Sequence, residues 1–281
     1  MAHDEKVARM SSVTDAWYTN ETKYVNKPTM AKFGFCLFLS FVQLLHLCDA
    51  ANWAVLVAGT ETWKNYRHQA NVGHMNYLLL QSGFPQENIV VMMFDNIIND
   101  ERNKNKELEV NVKNFLDIMN GDENLRSSGR KVLLSNRDDN VFLFFSGYSS
   151  NSLLRFRKET LHADVLDDLF DSMTREGRYS NMYVVINGDQ AGSILEKIDW
   201  NGKRIYATAG AMEGQKSYAH ANRVFPDLPP YASYFTVAWF SAVSEVVGGM
   251  PVGDFISFSS NSGRRRNLNE FGEGTSGMTY P

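Results

Sequence analysis

Three segments of the sequence place polar side chains directly after an apolar run, where ligands and catalysis are found in α/β proteins. These segments are residues 59–70, 146–150 and 187–193. Their serines, histidine and aspartate are residue types that serve as nucleophiles or as general acids and bases. A cysteine nucleophile is excluded after residue 48, because Cys36 and Cys48 are the only cysteines of the chain.

The composition describes an ordinary globular protein rather than a nucleic-acid-binding one. The chain has 281 residues, of which 43% are hydrophobic and 21% charged. This length can form one large α/β domain with a sizeable core. The formal net charge of -4 gives no basic excess, so we expect no nucleic-acid partner.

Residues 30–50 have the layout of a secretory signal peptide. Met30 and Lys32 precede an apolar run over residues 33–47, and small residues follow it. The run is short for a membrane span, and we expect no span after it. The chain is therefore predicted to enter the secretory pathway, with an extracellular, endolysosomal or vacuolar destination. Cleavage near Ala50 would remove both cysteines and leave a domain without disulfides.

The 29 residues before Met30 are polar and show no clear period. We expect residues 1–29 to be a misassigned extension or a disordered segment, with Met30 as the true start. The alternative is that residues 33–47 form a signal anchor. The tail over residues 259–281 is rich in Gly, Ser, Asn and Arg and is predicted to be disordered.

The elements that must position the polar segments alternate between strand and helix. Continuous apolar runs, which are typical of strands buried on both faces, occur at residues 53–58, 89–94, 141–145, 182–186 and 204–208. Helical patterns occur at residues 66–82, 110–120, 160–175 and 231–247. This alternation predicts an α/β fold, with a parallel sheet and helices on both faces.

Several of these runs resemble a known family. NWAVLVAG (52–59), NYRHQA (65–70) and IVVMMFD (89–95) are similar to segments of legumain, the asparaginyl endopeptidase family. The match continues through NVFLFFS (140–146) and IYATA (205–209), and it covers about residues 52–245. The resemblance implies a legumain-like domain over residues 51–258. It also implies a caspase-like fold, with a parallel-majority sheet flanked by helices on both faces.

The resemblance implies that both catalytic residues of the family are replaced. Family members cut after asparagine with a histidine after the third strand and a cysteine after the fourth. The thiolate attacks the carbonyl and the imidazole protonates the leaving amine. Here the histidine position is Tyr148 and the cysteine position is Asp189, whereas Asn65, which orients the histidine in the family, is retained.

The family's asparagine pocket is matched only in part. Arg67, which lines the pocket, is retained, and a pair of pocket serines reads Lys216-Ser217. The pocket aspartate aligns with Ser233. The residues that we interpret as remnants of this pocket are Arg67, His68, Asn187, Ser217 and Ser233. The retained NYRH block either preserves ligand binding or serves the fold, and we favour the fold, because Asn65 has no histidine to orient.

The sequence gives little support for another catalytic mechanism in place of the missing cysteine and histidine. Peptide hydrolysis by Asp189 would need a second carboxylate, but Asn187 and Gln190 are uncharged. Serines in the polar segments have no assignable histidine and aspartate partners among His68, His74, His162 and His220. Histidines at metal-binding spacings and a phosphate-binding loop are lacking, so we expect neither a metal nor a cofactor.

These observations predict a catalytically inactive legumain-like protein, or pseudopeptidase, with a binding or regulatory role. Its partners would be peptide or protein ligands, or an active family member. One alternative is an asparaginyl cysteine-type endopeptidase involved in proteolysis, which is the activity of the family that the sequence resembles. The other is a subunit resembling the transamidase that attaches GPI anchors.

Overall fold

A computed structural model describes residues 51–61, 65–81, 83–94, 110–219, 232–237 and 269–272. The predicted extension, signal segment and most of the predicted helix at 231–247 lie outside these residues. The strands are β1 (Asn52–Ala58), β2 (Ile89–Met92), β3 (Asn140–Ser146), β4 (Ser149–Ser150), β5 (Leu153–Phe156), β6 (Glu159–His162), β7 (Asn181–Asn187), β8 (Ile205–Ala209) and β9 (Asn269–Gly272).

The helices connect these strands in the order that the sequence predicts. They are α1 (Tyr66–Gln81), α2 (Val112–Met119), α3 (Glu123–Ser127), α4 (Ala163–Arg175) and α5 (Gly192–Leu195). A glycine follows the end of α1: Gly83 has a φ of 86° and donates its N–H to Leu80 O. The first turn of α2 is capped by Asn111, whose side chain accepts the N–H of Asn114 at 2.7 Å.

The main sheet has six strands in the order β2-β1-β3-β7-β8-β9. Every neighbouring pair is parallel except β8 and β9. In register, Ala58 lies beside Ser146, and Ser146 lies beside Asn187. Three strands therefore end at one level, and the polar segments that follow them share one edge of the sheet.

Two apolar layers cover the two faces of this sheet. Val55 and Val57 of β1 pack on the face that also holds Phe115 of α2 and Phe170 of α4. The alternate residues of β1 pack on the opposite face against α1, and this second layer includes Ala54, Leu56, Ala58, Val72, Met75 and Leu79. The predicted α/β class, a parallel-majority sheet with helices on both faces, is confirmed.

A second, three-stranded antiparallel sheet was not predicted. It has the order β4-β5-β6 and follows β3 directly. The helix predicted to begin at residue 160 is wrong at its start, because Glu159–His162 pair with β5 and α4 begins at Ala163. Leu161 matched the helical period, but it is buried as a strand residue.

The predicted disorder of residues 259–281 is also wrong at one point. Asn269–Gly272 form β9, which pairs antiparallel with β8 at the edge of the main sheet. Strand pairing supplies backbone partners that the local polar composition does not reveal. Among the described residues, helices with the length and apolar content to cross a membrane are not found.

Candidate functional site

Two glycines bring the ends of β3 and β7 into close contact. A Cβ on Gly147 would lie 2.8 Å from the Phe145 ring, and a Cβ on Gly188 would lie 2.5 Å from Gly147 O. Separations below 3.0 Å are not tolerated between such atoms, so both positions require glycine unless the backbone moves. The residues that follow these glycines, Tyr148 and Asp189, therefore line one cleft.

Tyr148 lies at the rim of this cleft with its side chain 39% exposed. Its hydroxyl donates to Asn65 Oδ1 at 2.6 Å. Its ring lies edge-on to the His68 ring, with centroids 6.0 Å apart. Asn65, which would orient a histidine in the family, orients a phenol here. A neutral phenol is a poor general base near neutral pH.

Asp189 is fixed by hydrogen bonds on its main chain and its side chain. Its carbonyl accepts from Ser149 Oγ at 2.6 Å, and its Oδ1 accepts from Ser217 N at 2.6 Å. The next residue, Gln190, has a φ of 52° and donates its N–H to Gln215 O at 2.8 Å. The loop after β7 is thus hydrogen-bonded to the loop after β8. One oxygen of the Asp189 carboxylate takes part in this connection.

His68 belongs to a buried polar network at the end of β3. It is 1% exposed, and its Nδ1 lies 2.9 Å from Ser146 Oγ, which also accepts from Asn71 Nδ2 at 3.0 Å. Arg67 Nε donates to His68 Nε2 at 3.3 Å, which assigns the ring proton to Nδ1. Burial, aided by the charge of Arg67, lowers the pKa of His68 from 6.5 to about 3. The ring is therefore a neutral structural group.

The remnants of the asparagine pocket form a second buried network. Asn187 Oδ1 accepts from Ser217 Oγ at 3.1 Å. Asn187 Nδ2 donates to Ser233 Oγ at 2.7 Å and to Thr236 Oγ1 at 2.6 Å. The last two hydroxyls also lie 2.7 Å apart. Both amide hydrogens of Asn187 are therefore used within this network.

Lys216, the cation in the altered serine pair, is exposed, whereas its neighbour Ser217 is 6% exposed. The structure brings Ser217 and Ser233 to Asn187. Arg67 contacts His68 instead.

The open space at this edge is a cleft of about 360 Å³. It is lined by Tyr148, Ser149, Ser150, Leu153, Arg155, Asp189 and Gln190. Asp189 and Arg155 are the charged residues of this lining, and Arg155 is exposed. Within the described ranges, groups of three or more His, Cys, Asp or Glu side chains arranged to hold a metal are not found.

Ser149 and Ser193 at this edge form hydrogen bonds that do not involve a histidine. Ser149 donates to the Asp189 carbonyl, and Ser193 Oγ accepts the N–H of Ser152 at 3.0 Å. His162 lies on β6 near Thr160, and burial lowers the pKa of His74 to about 4. His220 lies outside the described residues. In the part of the chain that the structure describes, a histidine contacts a serine only at His68 and Ser146, where both side chains are buried.

Sequence reasoning missed four residues that complete these networks. Ser146 and Asn71 hold His68, whereas Thr236 closes the Asn187 network and Gln215 closes the loop junction. The end of β3 could have indicated Ser146, because it is the last residue of an apolar run. The other three contact the site through tertiary packing that leaves no local signal.

This fold and edge define an α/β protein whose site lies beyond the carboxyl ends of parallel strands. The family model for the peptidase C13 family matches residues 52–108 and 104–248. This match spans more than half of the chain, so the chain belongs to the peptidase C13 family.

Named relatives agree with this membership. The chain is 33% identical over 192 residues to a hemoglobinase of Schistosoma japonicum, covering 61% of this chain and 45% of the relative. It is 32% identical over 191 residues to human legumain, covering 60% and 44%. It is 27% identical over 257 residues to a vacuolar-processing enzyme of Glycine max, covering 81% and 52%. The chain thus spans about half the length of these relatives.

Among solved structures, the chain is similar to caspase-1 from Spodoptera frugiperda, with a TM-score of 0.48 and 9% identity. The matched region covers 79% of this chain and 85% of that one.

Proposed function

We propose that this chain is a catalytically inactive member of the peptidase C13 family, a pseudopeptidase that acts by binding. The observation that carries the proposal is the pair of residues at the ends of β3 and β7. Tyr148 and Asp189 occupy the positions where the resemblance places a histidine and a cysteine, and both are held by hydrogen bonds to neighbouring residues.

Neither residue can supply the lost chemistry in its present setting. The Tyr148 hydroxyl is committed to Asn65. Among the described residues that line the cleft, Asp189 has no second carboxylate with which to activate a water molecule. In subtilisin, loss of the nucleophile alone lowers kcat by about 10⁶, and here the base is replaced as well.

The pocket remnant also argues against asparagine recognition. An asparagine side chain needs donors and acceptors that are free to bond its amide. Asn187, Ser217 and Ser233 use theirs on one another and are almost completely buried. We infer that any ligand binds in the open cleft beside Tyr148 and Asp189 rather than at this network.

The ligand would be a peptide or protein, including an active member of the family. We also propose that the protein enters the secretory pathway and resides outside the cell or in an endolysosomal or vacuolar compartment. This rests on the signal-like segment at residues 30–50 and on similarity to proteins named legumain and vacuolar-processing enzyme.

The test is an activity assay of the purified protein with a fluorogenic peptide that contains asparagine, at acid pH. We expect a rate equal to that of buffer, and the same rate for Asp189→Ala. Turnover that Asp189→Ala removes would contradict the proposal, because it would make Asp189 a working nucleophile.

A further inference from the structure

We propose that the cleft between Tyr148 and Arg155 binds a peptide segment that carries one basic and one acidic side chain. The basic group would lie against Asp189 and Tyr148, and the acidic group against Arg155. This inference rests on the proposed inactivity, because it assigns to the former catalytic edge a ligand that remains uncut.

The first step is the position of the two charges. Asp189 and Arg155 line the same cleft of about 360 Å³. No ion pair joins them to each other or to another described residue. Opposite charges that share a cleft without pairing can each be satisfied by a ligand that carries the complementary charges.

The second step is the rigidity of the carboxylate. Ser217 N donates to Asp189 Oδ1, and Ser149 Oγ donates to the Asp189 carbonyl. The other carboxylate oxygen, Oδ2, accepts no hydrogen bond from a described residue. A carboxylate that is fixed through one oxygen loses little conformational entropy when the other oxygen binds a cation.

The third step is the chemistry beside this carboxylate. The Tyr148 ring is 39% exposed and lines the cleft with Asp189. An aromatic face next to a carboxylate attracts an ammonium or guanidinium group by adding a cation–π contribution to the charge attraction. Ser150 also lines this wall.

The fourth step is the placement of the guanidinium. Arg155 lies on β5, and its backbone N–H donates to Tyr148 O at 2.9 Å. Its strand is therefore fixed to the wall that carries Tyr148, while its side chain is exposed. Guanidinium groups bind carboxylates with two parallel hydrogen bonds. Arg155 should therefore prefer an acidic side chain of the ligand.

The probes are fluorescein-labelled glycine-serine peptides with one lysine and one glutamate, separated by none, one or two residues. Binding to the full chain is measured by fluorescence polarisation. Matched peptides replace the lysine with norleucine or the glutamate with glutamine. Asp189→Asn keeps an acceptor for Ser217 N but replaces the charged second oxygen with a neutral amide NH2, and Arg155→Gln removes the guanidinium. Asp168→Asn and Arg137→Gln serve as controls at exposed positions.

We expect at least one spacing to bind saturably. Asp189→Asn should weaken the binding of that peptide by about five- to tenfold and leave the norleucine peptide unaffected. Arg155→Gln should act in the same way toward the glutamate. The control variants should bind like the wild type.

Lack of saturable binding by all three spacings at millimolar concentration would overturn the inference. An equal loss for the lysine and norleucine peptides in Asp189→Asn would overturn it as well, because the effect would then be structural. The turnover assay with the asparagine peptide separates the two proposals, because the charged probes contain no asparagine and cannot report the family's cleavage. Absence of turnover supports inactivity whether or not the charged probes bind, whereas turnover contradicts inactivity whatever their affinity.

Discussion

The carboxyl edge of the main sheet has two sides. His68 on the first side and Asp189 on the second differ in burial and in hydrogen bonding. On the side of β1 and β3, His68 and Ser146 are buried and bonded to each other. On the side of β7 and β8, Asp189 is only partly buried and has one carboxylate oxygen bonded within the chain. The first side, through His68 and Ser146, contributes to the fold, whereas Asp189 on the second side is partly accessible.

This difference gives the NYRH block a structural role that does not depend on catalysis. His68 forms a hydrogen bond with the Ser146 hydroxyl, and Arg67 donates a hydrogen bond to His68. Loss of a buried partner in such a network costs stability, whether or not the protein has an activity. Retention of these residues therefore gives no support to catalysis.

The largest expected effect comes from restoring both family residues. Tyr148→His with Asp189→Cys should raise cleavage of an asparagine peptide by about 10² over background, far below the 10⁶ associated with a complete site. The scaffold retains Asn65 to orient a histidine, but the Asn187 network remains closed. The assay compares this double variant with each single variant, and both singles should stay at background. A fully active double variant would show that the closed network does not limit binding.

The next effect tests the structural role of the first side. His68→Ala should lower the free energy of unfolding by about 2–4 kcal/mol, because it leaves a cavity and removes a partner of Ser146. Asp189→Ala should cost about 1 kcal/mol or less, since its side chain is partly exposed. Denaturant unfolding gives both values. Equal costs at the two positions would remove the distinction between the two sides.

The stability of the first side should also depend on pH. The pKa of His68 is about 3 in the folded protein and 6.5 when unperturbed, so below pH 6.5 only the unfolded chain takes up this proton. The contribution is fully present above pH 6.5 and is lost as pH falls toward 3. From pH 7 to pH 5 it decreases by about 2 kcal/mol.

His68→Gln isolates this contribution, because glutamine does not titrate. The difference in unfolding free energy between the wild type and this variant should shrink by about 2 kcal/mol from pH 7 to pH 5. His74, whose pKa is lowered to about 4, is present in both proteins and cancels. A difference that stays constant with pH would show that His68 is charged or exposed in the folded protein.

The smallest effect concerns the hydrogen bond between Tyr148 and Asn65, which follow β3 and β1 and so belong to the first side. Tyr148→Phe removes the hydrogen bond to Asn65 and should lower the unfolding free energy by about 0.5–1 kcal/mol. Tyr77→Phe is the matched control, since Tyr77 is also exposed and its ring stacks on His74. If both variants lose the same amount, the Tyr148 hydroxyl contributes nothing specific.

The parallel strands of the main sheet could be predicted from the sequence because they are buried on both faces, whereas the antiparallel β9 could not. Strands such as β3 and β8 read as continuous apolar runs, and the glycines after α1 and α2 marked the helix ends. The smaller sheet could not be predicted in this way. Its first strand has two residues, both serines, so its pairing depends on tertiary position rather than on local pattern.

The site could be predicted by position but not by contact. The strand ends and the family resemblance located Tyr148 and Asp189. They did not reveal that Ser217 N would hold the Asp189 carboxylate, or that Thr236 would saturate Asn187. Both contacts join segments that are 28 or more positions apart in the chain. Hydrogen bonds of this range depend on the folded backbone and leave no trace in local residue patterns.

Covalent trapping tests the loss of the nucleophile most directly. A peptide ending in an asparaginyl chloromethyl ketone is incubated with the purified protein, and peptide mapping by mass spectrometry locates any adduct. We predict no adduct on the domain after Cys48 in the wild type, and an adduct at the substituted position in Asp189→Cys. An adduct on a residue of the wild-type cleft would contradict the account, because it would reveal a nucleophile where none is expected.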